Sequence, residues 1–398
     1  MKTAVIVIGA SYGDEGKGLA AFSAARAMKG PVLDVLINGG AQRGHTVDLP
    51  DGRRHVFHHF GAGALCGADS LADRDFIVNP LLYRQEAEAL SKDFGLTPRL
   101  LICDDCRVSL PYDMISGQII EESRASKRHG SCGLGIFETR RRYETDPGAL
   151  KWGKLRRLGK REYFAYCEGI VREYLPARLS EMNTASDERW QRIILNQALM
   201  ENSYEDLRFM AKHSRAFSDW PSAAKNYRSL VFEAGQGLLL DEMNKADFQH
   251  LTPSRTTSQE SVKRILETGQ KYDARVIYVS RSYLTRHGAG PFPTECAKEK
   301  INADMQDLTN VPNPHQETLR YGLMDAKALV ERTHKDLAES RALLPELKSA
   351  ILLTHLNETG GLLAGGESTE VLTKCFDEAY LSFSPFVIER MDAKTAAP

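Results

Sequence analysis

The feature that most constrains this chain is a glycine-rich segment near its amino terminus, residues 9–18 (GASYGDEGKG). It follows an apolar run, residues 3–9, and precedes residues 19–28, which have helical composition and periodicity. Such a turn between a strand and a helix directs backbone N–H groups and the helix dipole at one point, and Lys17 adds a charge there. The spacing differs from a Walker A motif, and Gly18 replaces the hydroxyl residue that binds magnesium in that motif. The segment therefore predicts a phosphate site, although a plain tight turn is the simpler alternative.

Other apolar runs have the length of buried strands and are separated by stretches of helical character. They cover residues 32–37, 100–103, 230–232, 274–279 and 350–353. This pattern predicts an α/β fold with a mostly parallel central sheet flanked by helices, similar to P-loop NTPases. Residues 140–227 are charged and aromatic with helical spacing, so we expect a helical insertion within one elaborated domain, residues 1–398.

Charge and cysteine content narrow the functional classes. The chain has 52 Lys and Arg against 53 Asp and Glu, so its net charge of -1 gives no general reason to bind nucleic acid or an anionic membrane. Its seven cysteines are odd in number and scattered, which favours free thiols in a reducing compartment. No apolar run reaches the length needed to cross a membrane. We therefore expect a cytoplasmic protein.

Four motifs together resemble the adenylosuccinate synthetase family, and they occur in the family's order. Residues 13–18 (GDEGKG) resemble its glycine-rich signature, and residues 38–46 (NGGAQRGHT) resemble its second loop. Residues 232–237 (FEAGQG) and 288–295 (GAGPFPTE) are similar to two further family segments. Because the matches extend from Gly9 to Glu295, coincidence is a poor explanation. The resemblance implies a carbon–nitrogen ligase that joins L-aspartate to the 6-oxo group of a purine nucleoside monophosphate.

The chemistry that this resemblance implies is activation of a poor electrophile. Nucleoside triphosphate phosphorylates O6 of the purine, and aspartate then displaces the phosphate. Asp14 is the candidate base for N1–H, His45 is expected to stabilise the transferring phosphoryl group, and Lys17 completes the phosphate clamp. Mg²⁺, held partly by Asp14 and by the backbone near Gly44, would neutralise charge. An isolated histidine is more often a satisfied core or surface residue, but the Gly-His-Thr context favours catalysis.

The resemblance also implies a set of nucleotide contacts. Gln236 matches a residue that contacts the purine, and Ser131, Cys132 and Thr256 match hydroxyl positions around the nucleotide phosphate. A thiol is a weaker phosphate donor than a hydroxyl, so Cys132 is a departure from the family. The further nucleotide-binding residues that we predict are Ser11, Gly13, Glu15, Gly16, Gly18, Gln42, Gly44, Thr46, His355 and Asn357.

The family completes its phosphate site with an arginine from a neighbouring subunit, so the resemblance implies a homodimer. Three consecutive arginines, Arg140, Arg141 and Arg142, occupy the corresponding region. The sequence does not distinguish among them. A solvated helix face is an equally good interpretation of any one of them.

The aspartate-binding loop departs from the family, which has an arginine run there. Residues 309–322 read TNVPNPHQETLRYG, and Arg320 is the one arginine. A guanidinium is the best partner for a carboxylate, so Arg320 is the predicted aspartate ligand, with Thr309 and Asn310 as further candidates. An ordinary surface loop is the alternative.

The triphosphate site also departs from the family, which reads guanine with Thr-Lys-x-Asp. Residues 354–357 read THLN, and Asn357 cannot accept both guanine hydrogen bonds as a carboxylate does. We therefore expect ATP or dATP in preference to GTP. Both departures resemble a divergent, largely phage-associated branch of the family that acts on dGMP. Many members of that branch have serine where this chain has Asp14, so IMP remains the alternative to dGMP, and an inactive nucleotide-binding regulator is the alternative from another class.

Overall fold

The computed structural model describes residues 2–125, 130–244, 250–305 and 319–391. Several of its strands have only two residues. In chain order they are β1 (Lys2–Gly9), β2 (Val32–Leu36), β3 (Gly39–Gly40), β4 (His45–Asp48), β5 (Arg54–Phe57), β6 (Asp69–Ala72), β7 (Phe76–Val78), β8 (Leu100–Cys103), β9 (Arg107–Val108), β10 (Ser214–Phe217), β11 (Ser229–Gly237), β12 (Tyr272–Arg281), β13 (Leu284–Arg286), β14 (Glu295–Cys296), β15 (Arg320–Gly322), β16 (Lys348–Thr354), β17 (Glu378–Leu381) and β18 (Glu389–Arg390).

Ten of these strands form one sheet in the order β10-β8-β6-β2-β11-β1-β12-β16-β17-β18. Every neighbouring pair is parallel except β17 with β18. The strand β1 lies between β11 and β12, so the glycine-rich turn that follows it emerges at the centre of the sheet. The predicted α/β fold with a mostly parallel central sheet is confirmed, and each of the six apolar runs lies on one of its strands.

The α-helices are α1 (Lys17–Ala27), α2 (Pro80–Phe94), α3 (Pro111–Ser123), α4 (Ile136–Thr145), α5 (Trp152–Leu155), α6 (Lys160–Gly169), α7 (Leu175–Glu181), α8 (Glu188–Ile194), α9 (Gln197–His213), α10 (Trp220–Ala224), α11 (Gln259–Glu267), α12 (Ala326–Arg341) and α13 (Glu370–Thr373). A single π-helical turn, Ile170–Tyr174, joins α6 to α7. Within the described residues, no helix is both long and apolar enough to cross a membrane.

Hydrophobic residues cover both faces of the sheet because neighbouring residues of a strand point to opposite sides. On β1, Val5 and Val7 belong to one buried cluster, whereas Ile6 and Ile8 belong to the other. The first cluster packs under α1, α2, α3 and the helices of residues 152–213, and the second packs under α11 and α12. A strand buried on both faces reads as a continuous apolar run, which is why the sheet was visible in the sequence.

Residues 140–227 contain most of α4, all of α5 to α10, and the strand β10, which pairs in parallel with β8 at the edge of the main sheet. The insertion therefore contributes one edge strand as well as helices. That it forms an insertion within a single domain stays a prediction.

Five neighbouring strands of the sheet, β2, β11, β1, β12 and β16, each end beside one of the motifs singled out in the sequence. The strands β2, β1 and β16 lead into residues 38–46, 9–18 and 355–357, β11 itself ends with residues 235–237, and β12 is followed by β13 and then by residues 288–295. Because parallel strands end at the same edge of a sheet, motifs that are hundreds of residues apart converge there. Open α/β sheets bind ligands at this edge.

Candidate active site

The glycine-rich turn uses backbone conformations that favour glycine. Gly13 and Gly16 have φ values of 106° and 94°, and Asp14 between them has a φ of 54°. A side chain on Gly9 would overlap the carboxylate of Glu15, which accepts a 2.6 Å hydrogen bond from the Ser11 N–H. Gly16 precedes α1 and has no side chain to cap it. The turn therefore directs a helix amino terminus at the centre of the sheet edge, as an anion site requires.

Asp14 is held by a residue that the sequence did not single out. Nε2 of His287 lies 2.6 Å from Oδ2 of Asp14, and Nε of Arg281 donates to the Asp14 carbonyl oxygen. Burial raises the pKa of Asp14, but the His287 hydrogen bond and the cations of Arg281 and Lys17 outweigh it and bring the pKa to about 2. Asp14 is therefore ionised at neutral pH and can accept a proton.

His45, the first residue of β4, is held at one ring nitrogen. Its Nδ1 lies 2.7 Å from Oε2 of Glu233, and Arg43 forms an ion pair with the same carboxylate. Burial and the Arg43 charge lower the pKa of His45 to about 3, so the imidazole is neutral at pH 7. Its Nε2 is buried and has no hydrogen-bond partner among the described residues. That nitrogen is the atom left for a substrate.

The two glycine-rich turns touch each other beside Lys17. A Cβ on Gly18 would overlap the Thr46 carbonyl oxygen and lie 2.8 Å from the carbonyl carbon of His45. Burial lowers the pKa of Lys17, whereas the nearby carboxylates of Glu15, Asp14 and Glu233 favour its charged form. Burial has the opposite effect on the neighbouring acid, since it raises the pKa of Glu15 to about 7. The predicted catalytic residues Asp14, Lys17 and His45 are therefore brought together, on turns that follow β1 and β2.

A third turn, at the end of β11, closes against the first. The amide Oε1 of Gln236 lies 3.6 Å from the Cβ position of Gly13, and a side chain on Gly237 would overlap the Ser11 carbonyl oxygen. Gln236 has a φ of 66°, an uncommon value outside glycine that often marks a functional position. In the second turn, Oε1 of Gln42 is buried without a hydrogen-bond partner among the described residues. Both predicted amides are therefore placed at the same sheet edge.

The three residues predicted to lie around the nucleotide phosphate have different surroundings. Ser131 is exposed, in a loop where a Cβ on Gly130 would lie 2.7 Å from Cα of Gly288. Cys132 beside it is half-buried, and burial raises the pKa of its thiol. The Thr256 hydroxyl donates to the Gly237 carbonyl oxygen over 3.1 Å, so in this structure it braces the third turn.

The three candidate arginines on α4 have different surroundings. Arg142 is fully buried and forms two hydrogen bonds, of 2.7 and 2.8 Å, with Asp113. Arg140 pairs with Glu242 and with the Pro253 carbonyl oxygen of the same chain. The Arg141 side chain is 36% exposed, against 28% for Arg140 and 0% for Arg142. Arg142 is thus a structural residue, whereas Arg141 is the most exposed of the three.

Arg320, the predicted aspartate ligand, is already engaged within the chain. Its Nε and Nη2 donate to Glu295 over 2.8 and 2.5 Å, and Nη1 donates to the carbonyl oxygens of Gly288 and Gly290. An aspartate carboxylate would have to compete with Glu295. Thr309 and Asn310 lie outside the described residues.

The predicted triphosphate-base segment follows β16. His355 has a φ of 58°, and its ring packs edge-on against Tyr283 at a centroid distance of 6.0 Å. Asn357 is exposed. The Tyr283 hydroxyl accepts from Arg281 and donates to Glu358, so this segment is linked to the residue that holds the Asp14 carbonyl.

Two supports of the site were missed in the sequence. His287 directly precedes the recognised segment 288–295, and its position there was the available signal. Arg332 on α12 donates to the Ala10 carbonyl oxygen over 2.6 Å and to the Ser11 hydroxyl over 2.7 Å. Nothing in the sequence around Arg332 indicates a contact more than 300 residues away.

A magnesium ion fits this site only if the protein and a bound nucleotide coordinate it together. Among the described residues, no group of three or more His, Cys, Asp or Glu side chains could hold a metal ion. Asp14 and the backbone near Gly44 would supply part of the coordination. Mg²⁺ commonly takes one or two carboxylates together with substrate phosphates and water, so the donor set suits an ion that is carried by a nucleotide.

The site belongs to a nucleotide-binding α/β protein. It combines a glycine-rich anion-binding turn, a buried neutral imidazole and two amide side chains at the carboxyl edge of a parallel sheet. The chain belongs to the adenylosuccinate synthetase family, since residues 6–341 match the family of that name. It is 30% identical over 301 residues to the adenylosuccinate synthetase of Mycolicibacterium smegmatis, and 27% identical over 304 residues to that of Streptomyces griseus. Each match covers 74% of this chain and 66% of the relative.

Two solved structures share the fold at lower sequence identity. The fully ligated adenylosuccinate synthetase from Plasmodium falciparum has a TM-score of 0.63 and 21% identity, covering 89% of this chain and 77% of that one. The cyanophage S-2L succinoaminodeoxyadenylate synthetase (PurZ), bound to dGMP and to dATP as an energy donor, has a TM-score of 0.65 and 17% identity. That match covers 99% of this chain and 97% of the phage chain.

Proposed function

We propose that the protein is a ligase that condenses L-aspartate with the 6-oxo group of a purine nucleoside monophosphate, through a 6-phosphoryl intermediate and at the expense of a nucleoside triphosphate. The observation that carries this proposal is the contact between the two glycine-rich turns, where the buried Lys17 interacts electrostatically with Asp14 and with Glu233, the partner of His45. A proton acceptor, a phosphate clamp and a phosphoryl contact are thereby available to one purine carbonyl.

The first half-reaction needs a proton to leave N1 as O6 becomes a nucleophile. Asp14, ionised at neutral pH, takes the N1 proton, and O6 then attacks the γ-phosphorus, which expels the nucleoside diphosphate. His45 contacts the transferring group through Nε2, because Glu233 engages its Nδ1. Lys17 and the backbone of the turn bind the phosphates. Mg²⁺ bound through Asp14 and the Gly44 backbone would supply charge neutralisation.

The second half-reaction forms the carbon–nitrogen bond. The aspartate amine attacks C6, the C6–O6 bond breaks, and inorganic phosphate leaves with the former purine oxygen. Arg320 is the proposed carboxylate ligand, and its exchange from Glu295 to substrate would couple aspartate binding to the loop of Gly288 and Gly290. Thr309 and Asn310 remain further candidates for this role.

For the substrates, we favour dGMP as acceptor and ATP or dATP as donor, giving a succino-2-aminoadenylate. Asn357 is exposed at the end of β16 and has an amide where the family reads guanine with a carboxylate. The phage structure, which aligns with almost the whole chain, is a complex with dGMP and dATP. IMP remains the alternative acceptor, because this chain keeps Asp14. We further propose a homodimeric, cytoplasmic enzyme that binds no nucleic acid.

A substrate matrix tests this proposal. IMP, GMP and dGMP are each combined with GTP, ATP and dATP, with and without aspartate, and phosphate release and product mass are measured. We expect phosphate release to require both aspartate and a 6-oxopurine nucleotide, with the fastest release from dGMP and ATP or dATP. Binding without turnover in every combination would support the inactive regulator instead. Phosphate release without a purine acceptor would indicate an NTPase or a kinase for another acceptor.

A further inference from the structure

A buried charged cluster lies directly behind His45, and its members come from three separate segments. Glu233 on β11 and Asp34 on β2 are both 0% exposed, and Arg43 in the second turn is 2% exposed. Oε2 of Glu233 meets both Arg43 and Nδ1 of His45, while Oε1 accepts a 2.6 Å hydrogen bond from the Ala62 N–H. Three groups thus converge on one carboxylate that is fully buried.

The carboxyl group of Asp34 completes the enclosure. Burial and, next to it, the neighbouring charge of Glu233 raise the pKa of Asp34. Oδ2 of Asp34 accepts a 2.9 Å hydrogen bond from the Gly63 N–H, and a side chain on Gly61 would overlap Asp34. Glu233 is therefore held by the Ala62 N–H and by its ion pair with Arg43, and the Asp34 carboxyl is a further neighbour.

This arrangement is not explained by stability. A buried ion pair seldom stabilises a fold more than apolar residues of the same size would, because both charges lose their water. Nε and Nη1 of Arg43 are moreover buried without hydrogen-bond partners among the described residues, which adds to the cost. A second role is needed, and the neighbour of the Arg43–Glu233 pair is the ring nitrogen of His45, with Nη2 of Arg43 3.0 Å from Nδ1.

We infer that Arg43 is a positioning residue: it locks Glu233 in place, and Glu233 in turn fixes the orientation in which His45 presents Nε2 to the transferring phosphoryl group. The inference rests on the proposed role of His45. A single amide oxygen cannot replace the two carboxylate oxygens of Glu233, because Oε1 and Oε2 have different partners. Loss of the pair would leave the substrate sites in place and the imidazole free to reorient.

The test compares Arg43→Met, the double variant Arg43→Met/Glu233→Gln and Arg43→Lys with the parent. Arg43→Met leaves a buried carboxylate unpaired and is expected to lower Tm. The double variant removes both charges, so Tm should recover while kcat stays about 10- to 100-fold below the parent, the usual range for residues that orient a functional group. KM for both nucleotides and for aspartate should change less than about threefold, since uniform binding is untouched. Arg43→Lys keeps the charge and should give an intermediate kcat.

A matched control is the buried pair of Asp73 and Arg264, which lies outside the site. The control variant Asp73→Asn/Arg264→Met should change Tm, but its kcat should equal that of the parent. Nitrogen-15 NMR of the His45 ring gives a readout that does not depend on turnover, and the resonance is assigned by its loss in His45→Asn. The parent should show one fixed Nδ1–H form, and the double variant should show averaging between the two ring forms.

Each outcome decides the question. Where His45→Asn is inactive, the inference would be overturned by a folded Arg43→Met/Glu233→Gln variant that has parental kcat and an unchanged His45 resonance. If His45→Asn itself keeps parental turnover, the proposed role of His45 fails, and the NMR comparison still judges whether Arg43 fixes the ring. If the double variant does not fold, Arg43→Lys decides, and parental kcat with an unchanged ring signal would count against the inference.

Discussion

At the scale of single residues, the account depends on Asp14 and His45 acting from two different turns. Replacement of Asp14 by Asn keeps the size of the side chain but removes the proton acceptor, so we expect kcat to fall by about 10²- to 10⁴-fold, the usual contribution of a positioned base. His45→Asn should lower kcat without a comparable change in KM. Steady-state kinetics of both variants would measure this, and near-parental turnover in either would remove that residue from the mechanism.

The pKa of His45 gives a stability prediction with a definite sign. Its pKa is about 3 in the folded protein against 6.5 for a free histidine side chain, so below pH 6.5 the unfolded chain binds a proton that the folded chain does not. Stability from this group is complete above pH 6.5 and is lost as the pH falls toward 3, by up to a few kcal/mol. Thermal unfolding of the parent and of His45→Asn should therefore converge as the pH decreases from 7 to 4, because Asn lacks this penalty. Parallel curves would contradict the predicted shift.

Residue-level prediction was possible where a motif is continuous in sequence. Asp14, Lys17, His45 and Gln236 could be placed because a glycine-rich turn limits the backbone to a few conformations. His287 and Arg332 could not, because each acts through one contact with a distant segment and leaves no periodic or compositional trace.

At the scale of elements, the site depends on how closely α1 approaches the start of β4. Gly18→Ala would place a methyl group against the Thr46 backbone, so we expect a loss of about 1 to 3 kcal/mol in stability. Turnover should fall further, because a displacement of about 1 Å in a catalytic group can cost roughly 10²-fold. Chemical denaturation and kinetics would measure the two effects.

The matched control for that substitution is Gly169→Ala. Gly169 is also helical, has a φ of -59°, and has nothing within 4 Å of its Cβ position. Alanine there should stabilise the protein by about 0.5 to 1 kcal/mol and leave turnover unchanged. Equal effects of the two substitutions would mean that the contact between the turns is unimportant.

Elements were predictable to the extent that burial made them uniform. The strands of the central sheet are mostly apolar because helices cover both faces, so β1, β2, β12 and β16 stood out. The edge strand β10 is short, partly exposed and embedded in helical sequence, and nothing local distinguishes it from a helix terminus.

At the scale of the whole molecule, the arginines on α4 have different roles: one stabilises the fold, and another is proposed to act between subunits. Arg142→Ala leaves Asp113 buried and unpaired, so we expect a loss of about 3 to 5 kcal/mol. Arg141→Ala breaks an exposed pair with Glu181 and should change stability by at most about 1 kcal/mol. Denaturation midpoints of the two variants would show the contrast, and similar values would contradict the assignment of Arg142 as structural.

A shared active site would make Arg141 detectable by complementation. If Arg141 acts across a homodimer, Arg141→Ala and Asp14→Asn subunits should each be impaired alone. Their mixture should recover activity, because hybrid dimers contain one site with both residues intact. Absence of recovery in a mixture that forms hybrid dimers would mean that Arg141 serves its own subunit or no site at all. A contact between subunits would leave no periodic or compositional trace in one chain, which is why the sequence left three arginines as candidates.

The central claim is that the purine C6 oxygen becomes phosphorylated and then leaves as phosphate. Acceptor nucleotide labelled with oxygen-18 at C6 is incubated with aspartate and the triphosphate, and the inorganic phosphate is analysed by mass spectrometry. We predict that one labelled oxygen per turnover appears in the phosphate and that the nucleotide product carries a succinyl group without the label. Unlabelled phosphate, with the label retained on the purine, would contradict the account.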